Sequence, residues 1–214
     1  MTHIVTRWWL IRHAPVIGVA GRLYGQDDLA CDCSDAALFA AVAQQLPADP
    51  VWLVTPLRRT QATAAALHQA RNGIPGKMPE IEPDLAEQHF GTWQGMSYAE
   101  LEAQGDDAYR RFWQAPADHA PPQGESFRDV IARVERAILR HSEHHAGRDI
   151  VAVSHAGAIR AALAAILALD PPRALGFAID PCSVTRFDHI RGPRGEVSWR
   201  ILAVNRHPAD SPRT

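Results

Sequence analysis

Cysteine and lysine are scarce in this chain of 214 residues. Its three cysteines, Cys31, Cys33 and Cys182, form a sparse, odd-numbered set, unlike the paired framework of a small disulfide-stabilised secreted protein. Lys77 is the single lysine, so arginine supplies nearly all of the positive charge. We ascribe most of the arginines to a general preference for that residue and give weight only to those beside other reactive groups.

Long apolar runs and a strong net charge are also missing. The longest apolar stretch, residues 161–169, falls well short of the roughly 20 residues that a membrane-spanning helix needs. Residues 1–7 lack the charged start and the apolar run of a signal peptide. The formal net charge of -2 gives no basis for attraction to nucleic acid or acidic membranes. We therefore expect a cytoplasmic protein without membrane or nucleic-acid partners, either a monomer or a homodimer.

Short apolar runs alternate with helical patterns along the chain. Three runs, at residues 8–11, 51–54 and 150–153, predict buried strands that are followed by loops and helices. Two further patterns, at residues 183–187 and 199–204, predict closing strands. Strands that alternate with helices favour a sheet covered on both faces. The sequence thus predicts an α/β fold, a single-domain three-layer α/β/α sandwich with a mostly parallel sheet and one antiparallel edge strand.

One domain is expected to span residues 1–205. Residues 97–113 have a helical pattern rich in aromatic side chains, and residues 115–124 are rich in proline. We expect residues 95–124 to form a helical insertion or lid on this domain. Residues 206–214 are polar and contain two prolines, so they are predicted to be a disordered tail.

Charged or titratable residues follow three of the predicted strands. The first strand ends in Arg12 and His13, the second leads to Arg58 and Arg59, and the third is followed by His155. Ligands of open parallel sheets bind beyond the carboxyl ends of the strands. Arginine presents a planar fork of donors to phosphate oxygens, and histidine offers a nucleophilic nitrogen near neutral pH. This combination favours phosphate chemistry over a chance grouping.

Five segments resemble, in order, the motifs of the histidine phosphatase superfamily, also called the phosphoglycerate-mutase-like superfamily. The first, Leu-Ile-Arg-His at residues 10–13, is similar to the family signature, and the last, Val-Ser-His-Ala-Gly at residues 153–157, is similar to Val-Ser-His-Gly-Gly. The others lie at residues 55–64, 87–95 and 123–126. The resemblance covers residues 7 to 205, and the five motifs together are far more specific than an Arg-His pair alone.

The resemblance implies a role for each of five residues. His13 would be the nucleophile that forms a phosphohistidine, Arg12 and Arg59 would hold the phosphate, and His155 would complete the pocket. Glu87 would give a proton to the departing alcohol and then act as base for the water that hydrolyses phosphohistidine. No metal or other cofactor takes part in this scheme.

The chain departs from the family pattern after the nucleophile. Ala14 stands in place of the usual glycine, and Pro15 and Val16 replace polar residues. Backbone groups are the alternative source of phosphate contacts on that side. Arg58 is one place off the family arginine, so we give it a surface or supporting role.

The residues after the first motif bear on the branch of the family. Residues 21–28, with Tyr24, resemble the Tyr-Gly-x-x-Asp stretch of α-ribazole phosphatases, which makes Tyr24 a candidate substrate-binding residue. A plain loop rich in glycine and aspartate is the other interpretation. Four aromatic residues of the insertion either line an apolar pocket for a ring-bearing leaving group or belong to the ordinary core: Tyr98, Tyr109, Phe112 and Trp113.

Three functions are open at this point. The first is a phosphomonoesterase that hydrolyses a small phosphorylated metabolite through phosphohistidine, with α-ribazole phosphate as the expected substrate. The second is phosphoglycerate mutase-type phosphoryl transfer, although the chain lacks the Trp-Asn pair of mutases and is shorter than they are. The third is a non-catalytic phosphate-binding domain.

A histidine-rich stretch lies outside these motifs. His141, His144 and His145 have helical spacing, but the sequence places no carboxylate or cysteine beside them to complete a metal site. A solvated helix end is therefore the expected interpretation, and no metal site is predicted. Cys31 and Cys33 also lack the C-x-x-C spacing of a metal or redox motif.

Overall fold

The computed structural model describes residues 2–71 and 78–207. Six strands form one mixed sheet with the spatial order β3-β2-β4-β1-β5-β6. The strands are β1 (Ile4–Arg12), β2 (Val51–Val54), β3 (Glu80–Ile81), β4 (Asp149–Ser154), β5 (Val184–Arg191) and β6 (Val197–Arg206). The helices are α1 (Ala36–Ala43), α2 (Arg58–Ala70), α3 (Tyr98–Gln104), α4 (Asp107–Gln114), α5 (Phe127–His144), α6 (Ala156–Ile166) and α7 (Pro171–Ala174).

The sheet is mostly parallel, as predicted, and one of its strands runs against the others. Strand β1 pairs in parallel with β4, and β2 pairs in parallel with β3 and β4. Strand β5 is antiparallel to both β1 and β6. The antiparallel strand is therefore not the edge strand that the sequence predicts, because β6 returns from the hairpin along the outer side of β5 and takes the edge position.

Apolar residues alternate between the two faces of the sheet. Trp8 and Leu10 lie in the core that includes α5 and α6, whereas Trp9 and Ile11 lie in the core that includes α1 and α2. Successive side chains of a strand point to opposite faces, so an unbroken apolar run predicts a strand covered on both sides. The three-layer α/β/α sandwich is thus present. Across the described residues, no helix is long and apolar enough to cross a membrane.

The insertion contains two short helices where the sequence predicts one helical region. Ser97 caps α3, and Gly105 ends it with a φ of 54°. Asp106 then caps α4. Glycine adopts this left-handed conformation at low cost, and the next residue starts a new helix, so the chain turns at this point.

A third apolar cluster holds the insertion to the rest of the fold. Its buried members are Leu23, Trp93, Leu101 and Phe112, and Tyr109 packs against it. Two other aromatic residues of the insertion remain at the surface: Tyr98 and Trp113 are 44% and 46% exposed. Phe112 and Tyr109 thus belong to a core, as one of the two interpretations expects.

Asp35 caps helix α1, and helix α2 starts at Arg58. The predicted end of the domain shifts by one residue. Strand β6 includes Arg206, so that residue belongs to the sheet and not to a tail. The rest of the predicted tail, residues 208–214, lies outside the described residues.

Candidate active site

His13 lies directly beyond the carboxyl end of β1, and its side chain is 1% exposed. Its backbone N–H donates to the carbonyl oxygen of Ser154 at 2.9 Å, which extends the pairing of β1 with β4. Its ring Nδ1 lies 2.7 Å from the carbonyl oxygen of Ala14. A carbonyl oxygen can only accept, so Nδ1 carries the proton. The lone pair of the neutral ring is therefore on Nε2.

His155 occupies the matching position after β4 and is fully buried. The ring centroids of His13 and His155 are 5.1 Å apart. The Nε2 of His155 lies 2.9 Å from Oγ1 of Thr55, the residue that follows β2. Among the described residues its Nδ1 has no hydrogen-bond partner. His13, Thr55 and His155 thus lie close together, because they follow the carboxyl ends of the parallel strands β1, β2 and β4.

Arg12 and Arg59 are held by backbone carbonyl oxygens. Arg12 donates from Nη1 to Ile179 at 2.6 Å. Arg59 donates from Nη1 to Asp27 at 2.7 Å and from Nη2 to Gly25 at 2.6 Å. Within the described part of the chain, the Nε of each arginine is buried without a hydrogen-bond partner, and neither guanidinium forms an ion pair. Both cations therefore keep unused donors and have no direct ion-pair partner among the described residues, so an anionic ligand can bind them.

Tyr24 and Arg58 take different places around Arg59. The Cζ of Arg59 lies 5.3 Å from the ring centroid of Tyr24, within the range of a cation–π contact. Arg58 is exposed, and its backbone N–H donates to Oδ1 of Asp28 at 2.7 Å. Tyr24 therefore borders the arginine, and Arg58 lies outside it, in agreement with the supporting role predicted for Arg58.

Glu87 reaches the same region from the loop after Leu85. Its Oε1 accepts a hydrogen bond from the backbone N–H of Gln88 at 2.9 Å, and its Oε2 accepts one from Gly157 at 3.3 Å. A Cβ atom at Gly157 would lie 2.2 Å from Oε1 of Glu87. Glycine at this position therefore leaves room for the carboxylate beside the first turn of α6.

Burial and positive charge act together on the two histidines. Burial lowers the pKa of His13 to about 3; the Ala14 hydrogen bond opposes this, and Arg59 and Arg12 add to it. Burial also lowers the pKa of His155 well below its usual value, with further contributions from His13 and Arg59. Both imidazoles are consequently neutral near pH 7, and the Nε2 lone pair of His13 is not masked by a proton.

The backbone after His13 is occupied within the protein. The N–H of Ala14 donates to Oγ1 of Thr63 at 2.9 Å, and the N–H of Ile17 donates to the carbonyl oxygen of Ala30 at 3.3 Å. Pro15 has no N–H to offer. The alternative that backbone groups of this stretch replace the missing polar contacts is therefore wrong at Ala14, whose N–H is already bound, and at Pro15, and it stays a prediction at Val16.

Arg160 is a cation that the sequence analysis did not single out. It lies one helical turn after Gly157 on α6, and its Nε donates to the carbonyl oxygen of Phe177 at 2.8 Å. Burial lowers the pKa of Arg160, the charge of Glu87 opposes that shift, and the charge of Arg12 adds to it. Arg160 therefore lies within electrostatic range of the candidate site. Its position three residues after Gly157 could have indicated, from the sequence, that it lies near the site.

Arg133 of α5 holds the loop that carries Glu87. Its Nη1 donates to the carbonyl oxygens of Asp84 and Ala86, both at 2.8 Å, and its Nη2 donates to that of Glu87 at 3.0 Å. It also pairs with Glu125 at 2.7 Å. This explains the fourth motif: Glu125 fixes the arginine that positions the Glu87 backbone.

The low pKa of His13 predicts acid sensitivity that depends on that residue. The unfolded chain takes up a proton as the pH falls through about 6.5, while folded His13 stays neutral to about pH 3. The contribution of His13 to the free energy of unfolding is therefore fully present above about pH 6.5. It is lost on acidification, by about 1.4 kcal/mol per pH unit. Between pH 7 and pH 5, we expect wild-type protein to lose about 2 kcal/mol more than His13→Asn in urea unfolding. Parallel losses would contradict this assignment.

Comparison with known proteins gives a consistent family. Residues 8–202 match the model of the histidine phosphatase superfamily (branch 1). A glucosyl-3-phosphoglycerate phosphatase of Mycolicibacterium vanbaalenii is 33% identical over 220 residues, which cover 94% of this chain and 95% of that protein. The solved structure of mycobacterial glucosyl-3-phosphoglycerate phosphatase is 28% identical with a TM-score of 0.78, and the match covers 94% of this chain and 99% of that one. A putative α-ribazole-5'-P phosphatase from Escherichia coli has the same fold, with a TM-score of 0.78 at 23% identity over 94% of this chain and 96% of its own. The chain belongs to the histidine phosphatase superfamily.

Proposed function

We propose that this protein is a phosphomonoesterase that hydrolyses a small phosphorylated metabolite through a phosphohistidine on His13. The observation that carries the proposal is the state of the His13 ring, whose Nδ1–H is bound to the Ala14 carbonyl while burial and two arginines keep the ring neutral. A neutral imidazole with a free Nε2 lone pair is a nucleophile that needs no separate base. The neighbouring unpaired arginines supply the charge that a phosphate dianion requires.

In the first step the Nε2 of His13 attacks phosphorus, and the bond from phosphorus to the ester oxygen breaks. Arg12, Arg59 and His155 stabilise the charge on the three remaining phosphoryl oxygens. The carboxyl group of Glu87 gives its proton to the departing oxygen, so that an alcohol leaves rather than an alkoxide. The products of this step are the free alcohol, the phosphohistidine and an ionised Glu87.

In the second step water attacks the phosphohistidine. Glu87 takes a proton from the water as its oxygen bonds to phosphorus, and the bond from phosphorus to nitrogen breaks. The lone pair returns to the Nε2 of His13, and inorganic phosphate is released. The cycle restores every group to its starting state and uses neither metal nor cofactor.

Arg160 favours a leaving group that carries a carboxylate. Its guanidinium lies within electrostatic range of Glu87 and Arg12, and only its Nε has a hydrogen bond to the protein among the described residues. A relative at 33% identity bears the name of a glucosyl-3-phosphoglycerate phosphatase, and a 3-phosphoglycerate has a carboxylate separated from its phosphoester carbon by a single carbon. We therefore extend the proposal to phosphoglycerate esters, with Arg160 binding the carboxylate.

α-Ribazole phosphate is the second substrate candidate, and different residues favour it. Its leaving group is a sugar alcohol that carries an aromatic ring system and has no carboxylate. Tyr98 and Trp113 are half-exposed on the insertion, with ring centroids 6.2 Å apart. Such a pair can stack against an aromatic ring. Residues 95–124 act as the specificity segment in this version of the proposal, and the cytoplasm is the proposed location.

The deciding experiment measures phosphate release from both compounds by wild-type protein, Arg160→Met and a control, Arg173→Met, at an exposed arginine of α7. Loss of a charged hydrogen bond of roughly 1.5–3 kcal/mol raises KM about tenfold or more. We expect this increase for glucosyl-3-phosphoglycerate with Arg160→Met and less than about a twofold change for α-ribazole phosphate. Equal losses on both compounds would remove the carboxylate assignment.

The same assay separates the other two functions. A mutase returns the phosphoryl group to a hydroxyl of the bound phosphoglycerate, so labelled phosphate appears on a new position rather than in solution. A non-catalytic domain binds the labelled esters reversibly, so dilution removes the label from the protein. It releases no phosphate. Either result in place of phosphate release would overturn the phosphomonoesterase proposal.

A further inference from the structure

Three potential metal ligands lie together at the β3 edge of the sheet. One donor atom each from Glu80, His141 and His145 lies within 4.8 Å of the other two. Glu80 comes from β3, and the histidines come from the last turn and the C-cap of α5. The sequence offers the histidines without a carboxylate partner, so it predicts a solvated helix end. The fold corrects that expectation, because β3 brings a glutamate against the helix terminus.

Two histidine nitrogens in this cluster are buried and unused. The Nε2 of His145 has no hydrogen-bond partner among the residues that the structure describes, and it lies 3.8 Å from Oε2 of Glu80. The Nδ1 of His141 likewise has no partner in the described ranges. Buried polar atoms of this kind are costly unless something binds them. A metal ion can satisfy such a nitrogen by accepting its lone pair.

Glu82 sets the state of His141. Its Oε2 lies 2.6 Å from the Nε2 of His141 and also accepts a hydrogen bond from Arg140 at 2.6 Å. A carboxylate beside one ring nitrogen keeps the proton there and leaves the lone pair on the other nitrogen, the arrangement that orients histidine ligands of metals. Glu82 therefore prepares Nδ1 of His141 for coordination.

His145 faces Glu80 from inside the protein surface, with 12% of its side chain accessible. Glu80 is half-exposed, with 53% of its side chain accessible. Its carboxylate is therefore free to move closer to the histidines.

We propose that Glu80, His141 and His145 bind a divalent transition-metal ion, with zinc as the preferred ion. Two imidazole nitrogens and one carboxylate oxygen are a set that zinc accepts in tetrahedral sites with an open fourth position. Zinc at about 2.0–2.2 Å from each atom needs donors about 3.4 Å apart. Donor atoms that now lie up to 4.8 Å apart must therefore approach one another by up to about 1.4 Å on binding. The bound ion ties β3 to the end of α5.

The position of the cluster separates it from the phosphatase chemistry. His13 and His155 follow the carboxyl ends of β1 and β4, whereas His145 precedes the start of β4. Beside His145 is a cleft of about 440 Å³ that is lined in part by His68, His144 and Arg148. The open fourth position of the ion is thus available to water or a small ligand, and the site goes beyond the proposed phosphomonoesterase.

The test uses full-length protein without an affinity tag, treated with EDTA and desalted. Titration with zinc chloride is followed by calorimetry, and thermal unfolding is recorded at rising zinc concentrations. We expect one ion per chain and a Tm that rises with zinc, because the ion binds only the folded state. His145→Ala and Glu80→Gln are expected to weaken binding about tenfold or more.

His144→Ala is the matched control, since His144 lies next to His145 at the same helix end but is not among the three donors. It should bind zinc like the wild type. Phosphate release should be equal in all four proteins, so a failure of the metal site is distinguishable from a failure of the phosphatase proposal.

Five results would overturn the metal site. The first four are the absence of zinc binding, equal losses in His144→Ala and His145→Ala, binding that disappears when the cysteines are alkylated, and binding that survives His145→Ala but requires His13. Stabilisation by inorganic phosphate that Arg71→Met removes, without zinc binding, would also overturn it. Arg71 lines the same cleft, and that result would identify the cleft as an anion site.

Discussion

His13→Asn should reduce phosphate release by roughly 10⁴-fold or more, since removal of a covalent nucleophile leaves only the binding groups of the site. Asparagine is neutral and can still donate a hydrogen bond to the carbonyl oxygen of Ala14, which the wild-type Nδ1 approaches to 2.7 Å. It has no counterpart of the Nε2 lone pair. The variant should therefore keep its fold and its affinity for phosphate while losing the covalent intermediate.

The measurement combines phosphate release with rapid quenching after addition of a phosphorus-labelled substrate. Wild-type protein should carry label that is stable to base and labile to acid, as expected of phosphohistidine. His119→Asn, at an exposed histidine, is the control and should match wild type in both assays. A His13→Asn protein that kept a tenth of the wild-type rate, or still became labelled, would remove His13 from the role of nucleophile.

Glu87→Gln should separate the two chemical steps. Glutamine can accept the hydrogen bond from Gly157 but cannot give a proton to the leaving oxygen. With an alkyl phosphate we expect kcat to fall by about 10²- to 10⁴-fold, the usual contribution of general acid catalysis. With p-nitrophenyl phosphate, whose leaving group needs no proton, the first step should remain fast while hydrolysis of the intermediate is slow.

The distinguishing observation is a burst of p-nitrophenol with accumulation of labelled enzyme. Glu135→Gln, at an exposed glutamate of α5, serves as the control and should show neither effect. Equal losses with both leaving groups, together with no labelled enzyme, would mean that Glu87 acts on neither proton transfer. A lowered Tm in Glu87→Gln would point instead to a structural role for its bonds to Gln88 and Gly157.

The sheet and the two histidines were predictable because their signals are local. Unbroken apolar runs such as residues 8–11 and 150–153 specify strands buried on both faces. Parallel strands bring their carboxyl ends to one edge, so His13 and His155 had to be neighbours once the strands were assigned. The break between α3 and α4 has a local signal as well, Gly105 before the capping residue Asp106, but the prediction of one helical region missed it.

The remaining features depend on contacts between distant parts of the chain. The edge position of β6 follows from which side of β1 was already occupied by β4, and no local pattern encodes that. Arg133 resembles other helical arginines in sequence, and only its hydrogen bonds to the loop that carries Glu87 distinguish it. Glu80 meets the α5 histidines for the same reason.

The side chain of Arg59 binds backbone carbonyl oxygens and is also expected to bind the phosphate. Its Nη atoms donate to the carbonyl oxygens of Gly25 and Asp27, and its Nε is unpaired among the described residues. The order of residues 25–27 and the affinity for phosphate then belong to one thermodynamic cycle, in which each strengthens the other equally. Selection for phosphate affinity therefore also acts on residues 25–27, which take no part in the chemistry. Substitutions in that segment are expected to change the affinity for phosphate without altering any residue at the phosphorus atom.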